Sequence, residues 1–144
     1  EVVEATVASS AEVKQATQTI IDRVDGIYIG TDNTVISALS SVTSVAMAKK
    51  VPVMTADPTS ATNADILAAW GFDYYKMGRA TGRMIADVLR GKKPAEIPVK
   101  FMTDPSDVTL FVNVDVAKQL GITIPQDIIK QASIVVMNGK VVQH

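Results

Sequence analysis

The most constraining feature of the sequence is a strand that leads into a helix through a tight polar turn, at Gly26–Asn33. Ile27–Ile29 are apolar and either β-branched or aromatic, which is typical of a buried strand. Gly30 permits the turn, and three good helix N-caps follow it: Thr31, Asp32 and Asn33. In an open parallel sheet such turns lie at the carboxyl ends of the strands, where ligands bind. Capping of the helix alone explains Asp32 and Asn33 about as well, so both interpretations stay open.

The N-terminal part of the chain repeats this pattern of strand and helix. The predicted elements are, in order, a strand at Val2–Ala8, a helix from Ser9 to Asp25, the strand Ile27–Ile29, a helix over Asn33–Lys49, a strand at Val51–Met54 and a polar loop over Thr55–Asn63. This order indicates an α/β fold, in which helices cover a parallel sheet and right-handed crossovers join its strands.

The rest of the chain alternates less regularly. Its predicted elements are a strand at Ile66–Trp70, a bend at Gly71–Phe72, a helix from Asp73 to Gly91, a strand at Pro98–Met102, a turn-rich link at Thr103–Asp107, a strand at Leu110–Val112, a helix over Val114–Leu120, a short helix after Pro125 and a terminal hairpin that turns at Asn138–Gly139. The apolar residues of the long helix are expected to face inward: Met77, Met84, Ile85, Val88 and Leu89. We divide the chain into a lobe, residues 1–102, and a C-terminal tail, residues 103–144.

Composition excludes several kinds of chemistry. The net charge is −1 without a basic cluster, which argues against nucleic-acid binding. Cysteine is absent and the single histidine is the last residue, His144, so thiol and imidazole catalysis and the usual zinc sites are excluded. No phosphate-binding glycine loop, serine-hydrolase motif or zinc-protease motif is present. We therefore predict no metal, no cofactor and no enzymatic activity, and binding is favoured over catalysis.

Polar and aromatic residues mark a candidate binding site. Asp32 and Asp57 follow successive predicted strands, so their carboxylates should share one edge of the sheet, where they could accept hydrogen bonds from an ammonium or hydroxyl group. Asp73-Tyr74-Tyr75 indicates a further carboxylate beside an aromatic wall, or simply a helix cap with one tyrosine in the core. Trp70, the only tryptophan, suits either stacking on a flat ligand or a core position. The predicted ligand-binding residues are Thr31, Asp32, Asn33, Asp57, Trp70, Asp73, Tyr74 and Tyr75.

Several phrases resemble a known family. Thr31–Leu39 and Val51–Asp57 resemble the strand ends of type I periplasmic binding proteins. Four longer phrases are similar to the ABC-transporter substrate-binding family linked to tryptophan and tyrosine uptake: Val24–Asn33, Gly71–Tyr75, Gly91–Pro98 and Leu120–Pro125. The resemblance covers residues from about Glu1 to Val136. It implies a flavodoxin-like, three-layer α/β/α domain that forms one lobe of a two-lobed receptor.

The same resemblance implies a function. The family captures a small molecule, often an aromatic amino acid, outside the cytoplasmic membrane and delivers it to an ABC permease. The expected location is the periplasm, or the outer face of the cytoplasmic membrane by a lipid anchor. This chain matches only the second lobe without its first strand and helix. The first lobe, which the chain does not contain, is therefore an expected partner. Two alternatives are an isolated flavodoxin-like domain with a regulatory or enzymatic role, and an engineered half-protein without a function of its own.

The missing first strand has a structural consequence. By the resemblance it would lie between Val2–Ala8 and Ile27–Ile29, so a gap is expected between those two segments. Direct pairing of the two segments, the apolar tail Ile134–Met137, or a strand from a second copy of the chain would close it. We favour the last, a homodimer formed by strand exchange.

Overall fold

A six-stranded sheet runs through the molecule in the computed structural model, which describes residues 1–143; His144 lies outside them. The strands are β1 Ile27–Ile29, β2 Val53–Thr55, β3 Ala68–Phe72, β4 Val108–Asn113, β5 Ile134–Met137 and β6 Lys140–Gln143. The helices are α1 Val13–Ile20, α2 Asn33–Ile36, α3 Leu39–Ala48, α4 Pro58–Ala61, α5 Tyr74–Leu89, α6 Val114–Leu120 and α7 Gln126–Gln131. The strands lie side by side in the order in which they occur along the chain.

The α/β class and the flavodoxin-like arrangement are confirmed, but the sheet is mixed. Strands β1, β2 and β3 are parallel, whereas β4 runs antiparallel to β3 and β6 antiparallel to β5. Periodicity identifies a strand but not its direction. The expectation of a wholly parallel sheet was therefore wrong for β4 and β5, which run opposite to β1–β3, whereas the hairpin of β5 and β6 was predicted.

Two apolar clusters cover opposite faces of the sheet. On one face Ile29, Val53 and Phe111 pack under Val13 of α1 and Val42 of α3. On the other face the cluster consists of residues from β4, β5, α6, α7 and the chain on either side of α7: Val112, Val135, Ala132, Leu110, Val114, Ile124 and Ile129. Register partners such as Val112 and Val135 belong to one face, as alternation along a strand requires.

The N-terminal segment does not form the predicted strand. Residues 1–7 have no regular secondary structure, and β1 is the edge strand of the sheet. An open groove lies between this segment and β1, and residues 1–7 make no hydrogen bond to another described residue. The tail Ile134–Met137 pairs with β4 and β6 at the far end of the sheet and does not fill the groove.

Three other predicted elements differ from the observed ones because of interactions within a few residues. The helix over Asn33–Lys49 is two helices, because Ala38 leaves helical geometry and its N–H bonds to Val35 O, three residues back. The loop after Thr55 contains the short helix α4, which Asp57 caps and Pro58 begins. The predicted bend at Gly71–Phe72 is instead the end of β3.

The C-terminal elements follow their local signals. Asn113 caps α6, Gly121 ends it in the left-handed conformation, and Pro125 precedes α7. Asn138 and Gly139 both have positive φ, as a type I′ hairpin turn requires. These predictions are confirmed.

Residues 98–102 and the inner face of α5 differ from expectation. The stretch Pro98–Met102 forms no strand, since no described strand lies beside it. Helix α5 runs as predicted from the Asp73 cap, but only Ala80 of its residues is fully buried, and Ile85, Val88 and Leu89 are exposed. The apolar face of α5 lies against residues 94–102 rather than against the sheet, and a groove of about 490 Å³ remains between them.

Candidate functional site

Three polar turns lie side by side at the carboxyl ends of β1, β2 and β3, because these strands run in the same direction. They follow the strands at Thr31–Asn33, Ala56–Asp57 and Asp73–Tyr75. The first two are tied together where Ala56 N–H donates to Ile29 O at 2.9 Å. We call these three turns the rim.

A close backbone approach positions the third turn. A Cβ atom on Gly71 would lie 1.8 Å from Ala56 O and 2.9 Å from Pro58 Cδ, so only glycine fits there. This contact brings the end of β3 directly against the turn that carries Asp57. The absence of a side chain at Gly71 therefore lets the strand that leads to Asp73 lie against the turn that carries Asp57.

Each rim aspartate caps a helix. Val35 N–H donates to Asp32 Oδ1 at 3.0 Å, and Lys76 N–H donates to Asp73 Oδ1 at 3.1 Å. The Asp57 carboxylate accepts from Thr59 N–H at 3.0 Å and from the Ser60 hydroxyl at 2.7 Å. The capping interpretation is thus confirmed for Asp32 and Asp73, and the cap at Asp57 is a new finding. Capping does not exclude ligand contacts, because a carboxylate has about four acceptor sites.

The three rim aspartates differ in how many further hydrogen bonds they can accept. Asp57 Oδ2 already accepts from Ser60, and Asp73 Oδ2 lies 3.6 Å from Lys76 Nζ. Among the described residues, Asp32 Oδ2 accepts no hydrogen bond. Asp32 is therefore the rim carboxylate with the most capacity for a new donor, and Thr31 and Asn33 beside it are exposed.

The predicted aromatic residues are exposed. Trp70, Tyr74 and Tyr75 have exposed fractions of 64%, 51% and 72%, so core positions for Trp70 and for either tyrosine are excluded. Tyr75 is held by Arg79, whose guanidinium carbon lies 5.9 Å from the ring centroid. Tyr74 and Tyr75 follow Asp73 at the rim. Trp70 instead projects from the sheet face opposite Ala69, in register with Leu110.

A fourth turn, Asp104–Asp107, adjoins the rim; the sequence predicted a turn-rich link over Thr103–Asp107 but not its position. It lies there because β4 runs antiparallel to β3, which places the start of β4 beside the end of β3. Asp73 N–H donates to Asp107 O at 3.1 Å, and Lys76 Nζ donates to Ser106 O. The spacing of Asp104 and Asp107 is that of a capping box, which was the available signal.

The rim is acidic. Hydrogen bonds from the Ser106 hydroxyl and N–H, with smaller contributions from Lys100 and Lys76, hold the pKa of Asp104 below its usual value. With Asp104 ionised, carboxylates outnumber lysines in the four turns. Such a set of acceptors suits the ammonium group of a small zwitterion.

Neither a metal centre nor a membrane helix is found in the described part of the chain. Residues 1–143 contain no group of three or more potential metal-ligating side chains. No helix in that range is long and apolar enough to cross a bilayer.

Comparisons with known proteins give a consistent result. The family model for ABC transporter substrate binding proteins matches residues 1–136. The chain is 34% identical over 120 residues to a tyrosine-binding protein of Clostridioides difficile (strain R20291), covering 83% of this chain and 34% of that protein.

Two solved structures are similar to this chain over most of its length. A conserved domain protein from Vibrio cholerae has a TM-score of 0.78 and 38% identity, covering 94% of this chain and 44% of that one. An ABC domain in complex with L-Trp from Streptococcus pneumonia has a TM-score of 0.76 and 33% identity, covering 91% of this chain and 44% of that one. The chain therefore spans less than half the length of the relatives that it matches.

Proposed function

Because the chain belongs to the ABC transporter substrate binding protein family, we propose that it forms one lobe of an extracytoplasmic receptor that captures an aromatic amino acid for an ABC importer. The observation that carries this proposal is the convergence of acidic turns and exposed tyrosines at the rim. The binding of tyrosine and tryptophan by two of its relatives supports the choice of ligand.

The rim offers complementary groups for such a ligand. Asp32 is placed to accept from the ammonium group, with Thr31, Asn33 and Asp57 completing the polar wall. Tyr74 and Tyr75 present aromatic surface beside it, and Trp70 lies nearby on the sheet face. Asp73 chiefly fixes the start of α5.

The proposal extends to the partners and location of the whole protein. A second lobe would cover the rim and exclude water from the ligand, and an ABC permease would receive it. The receptor would work in the periplasm or on the outer face of the cytoplasmic membrane. The lobe supplies acceptors and aromatic surface but no activated nucleophile, so we propose that it does not turn over its ligand. A second copy of the chain is a further proposed partner, through exchange of a strand.

Amide chemical shifts of the chain, titrated with L-tyrosine, test the ligand site. One lobe alone should bind weakly, and chemical shifts detect and locate weak binding. We expect changes at Thr31–Asn33, Asp57 and Asp73–Tyr75, and smaller ones with L-leucine. Changes confined to other surfaces, or none at saturating L-tyrosine, would contradict the assignment.

A charge-only variant separates binding from capping. Asparagine is as good an N-cap as aspartate, so Asp57→Asn should keep α4 while removing the charge. If Asp57 contacts the ligand, affinity should fall by about 1 to 3 kcal/mol. Asp127→Asn, an exposed position in α7, is the matched control and should leave affinity unchanged. Equal affinity in both variants would remove Asp57 from the site.

A further inference from the structure

Asn138 and Gly139, at the turn between β5 and β6, form the one asparagine–glycine pair in the sequence. In such a pair the glycine nitrogen can attack the side-chain amide carbon of the asparagine with little obstruction, because glycine has no Cβ atom. The other asparagines precede threonine, alanine or valine, whose side chains obstruct this attack. Asn138 is therefore the asparagine whose sequence most favours spontaneous loss of its amide.

The reaction needs neither an enzyme nor a cofactor. The Gly139 nitrogen forms a bond to Asn138 Cγ, the bond from Cγ to the side-chain nitrogen breaks, and the proton lost from Gly139 leaves with the released ammonia. The resulting cyclic imide then takes up one water molecule. Cleavage of its bond to Cγ gives aspartate, and cleavage of its bond to the backbone carbonyl carbon gives isoaspartate. The net change is the exchange of ammonia for water, without any transfer of electrons.

The Asp115 carboxylate binds both N–H groups of this turn. Asn138 N–H donates to Asp115 Oδ1 at 2.9 Å, and Gly139 N–H donates to Asp115 Oδ2 at 2.8 Å. Asp115 is held in place because it lies in the first turn of α6, which Asn113 caps. The nitrogen that would attack is thus engaged in a charge-assisted hydrogen bond, which is stronger than a bond between neutral groups.

This bond opposes the attack in two ways. A negative charge 2.8 Å away disfavours loss of the proton from the Gly139 nitrogen, because that nitrogen would itself become negative. The bond also fixes the peptide plane, so the nitrogen is not free to turn towards Asn138 Cγ. Asp115 does not act as the base, because a carboxylate is far too weak to deprotonate a backbone amide, and the hydrogen bonds from the turn lower its pKa further.

We infer that Asn138 is a site of spontaneous deamidation in this protein and that the Asp115 carboxylate keeps it in the amide form. Both residues of the turn are exposed, so water reaches the imide once it forms. The product places a second carboxylate beside Asp115, and isoaspartate adds one backbone atom to a two-residue turn of defined geometry. Both changes weaken the pairing of β5 with β6.

Peptide mapping by mass spectrometry, after incubation of the chain at a fixed, mildly alkaline pH, tests this inference. The folded chain should deamidate slowly at Asn138, and the chain unfolded in guanidinium chloride much faster. Asp115→Ala removes both acceptors while Asn113 still caps α6. It should accelerate deamidation of the folded chain roughly ten- to a hundredfold, the factor that corresponds to a hydrogen bond with a charged group. Asp115→Asn keeps one neutral acceptor and should give an intermediate rate.

Two variants that keep the Asp115 carboxylate are the matched controls. Lys118→Ala removes the ammonium group that lies 3.8 Å from Asp115 Oδ1. Asp127→Ala removes an exposed carboxylate in the first turn of the neighbouring helix α7. Both variants should deamidate at the rate of the unmodified chain, because neither changes an acceptor of the turn.

Amide hydrogen exchange distinguishes loss of this bond from general opening of the hairpin. In Asp115→Ala, exchange should accelerate at Asn138 and Gly139 more than along β5 and β6. An unchanged or lower deamidation rate in Asp115→Ala would overturn the inference. So would equally faster exchange throughout the hairpin, or an unfolded chain that deamidates faster at another asparagine than at Asn138. None of these readouts depends on ligand binding, so the proposed function is tested separately.

Discussion

The substitution Gly71→Ala tests the contact that assembles the rim. The new Cβ atom would lie 1.8 Å from Ala56 O, whereas ordinary contact begins at 3.4 Å, so the two strands must separate locally by about 1.6 Å, the difference between these distances. The obstacle is backbone rather than a flexible side chain, and it is tied to β1 by the bond from Ala56 N–H to Ile29 O. Overpacking usually costs about 1–3 kcal/mol, and a clash with backbone belongs at the upper end.

Thermal and urea unfolding followed by circular dichroism measure this cost. A loss of about 3 kcal/mol should lower the midpoint temperature of a domain of this size by roughly 10 °C. Gly78→Ala and Gly82→Ala are matched controls in α5, since a Cβ atom at either position meets nothing within 4 Å. Both should instead stabilise the chain by about 0.5–1 kcal/mol through helix propensity. An unchanged midpoint in Gly71→Ala would show that β3 does not approach Ala56 as described.

Substitutions at three further positions probe the other end of the sheet. Asn113→Ala removes the side-chain oxygen that caps α6 through Asp115 N–H and Val116 N–H, and should cost about 1–2 kcal/mol in urea unfolding, whereas Asn113→Asp should cost little. Hydrogen bonds from Gly139 N–H and Asn138 N–H lower the pKa of Asp115, so its contribution to stability is full above pH about 4 and is lost as the pH falls further. Asp115→Asn should therefore flatten the acid limb of a stability–pH profile, and an unchanged limb would count against the contact. Gly139→Ala places a Cβ atom at a φ of +70° and should cost about 1–2 kcal/mol, seen as faster amide exchange in β5 and β6.

Local signals in the sequence predicted the elements that local interactions determine. Asp73 and Asn113 begin helices, and Asn138–Gly139 turns a hairpin, because a side chain or a φ preference acts within a few residues. The same holds for the rim turn at Asp32. In each case the residue type and its position beside an apolar run were sufficient.

Features that depend on a distant partner were not predictable in this way. Val99 and Phe101 have strand-forming sequence, but a strand exists only beside another, and here both side chains are exposed. The apolar residues of α5 were expected to face inward, but Ile85, Val88 and Leu89 are exposed. The direction of β4 was not encoded in its periodicity, so the contribution of Asp104–Asp107 to the rim could not be foreseen.

The agreement between strand order in the sheet and strand order in the chain bears on how the protein is made. Each described strand from β2 to β6 pairs with the strand that precedes it in the chain, so none of these pairs waits for a segment that is made later. Contacts between sequence neighbours carry a small loop-closure cost, which favours rapid folding. The six described strands can therefore pair one after another, in chain order, as the sheet forms.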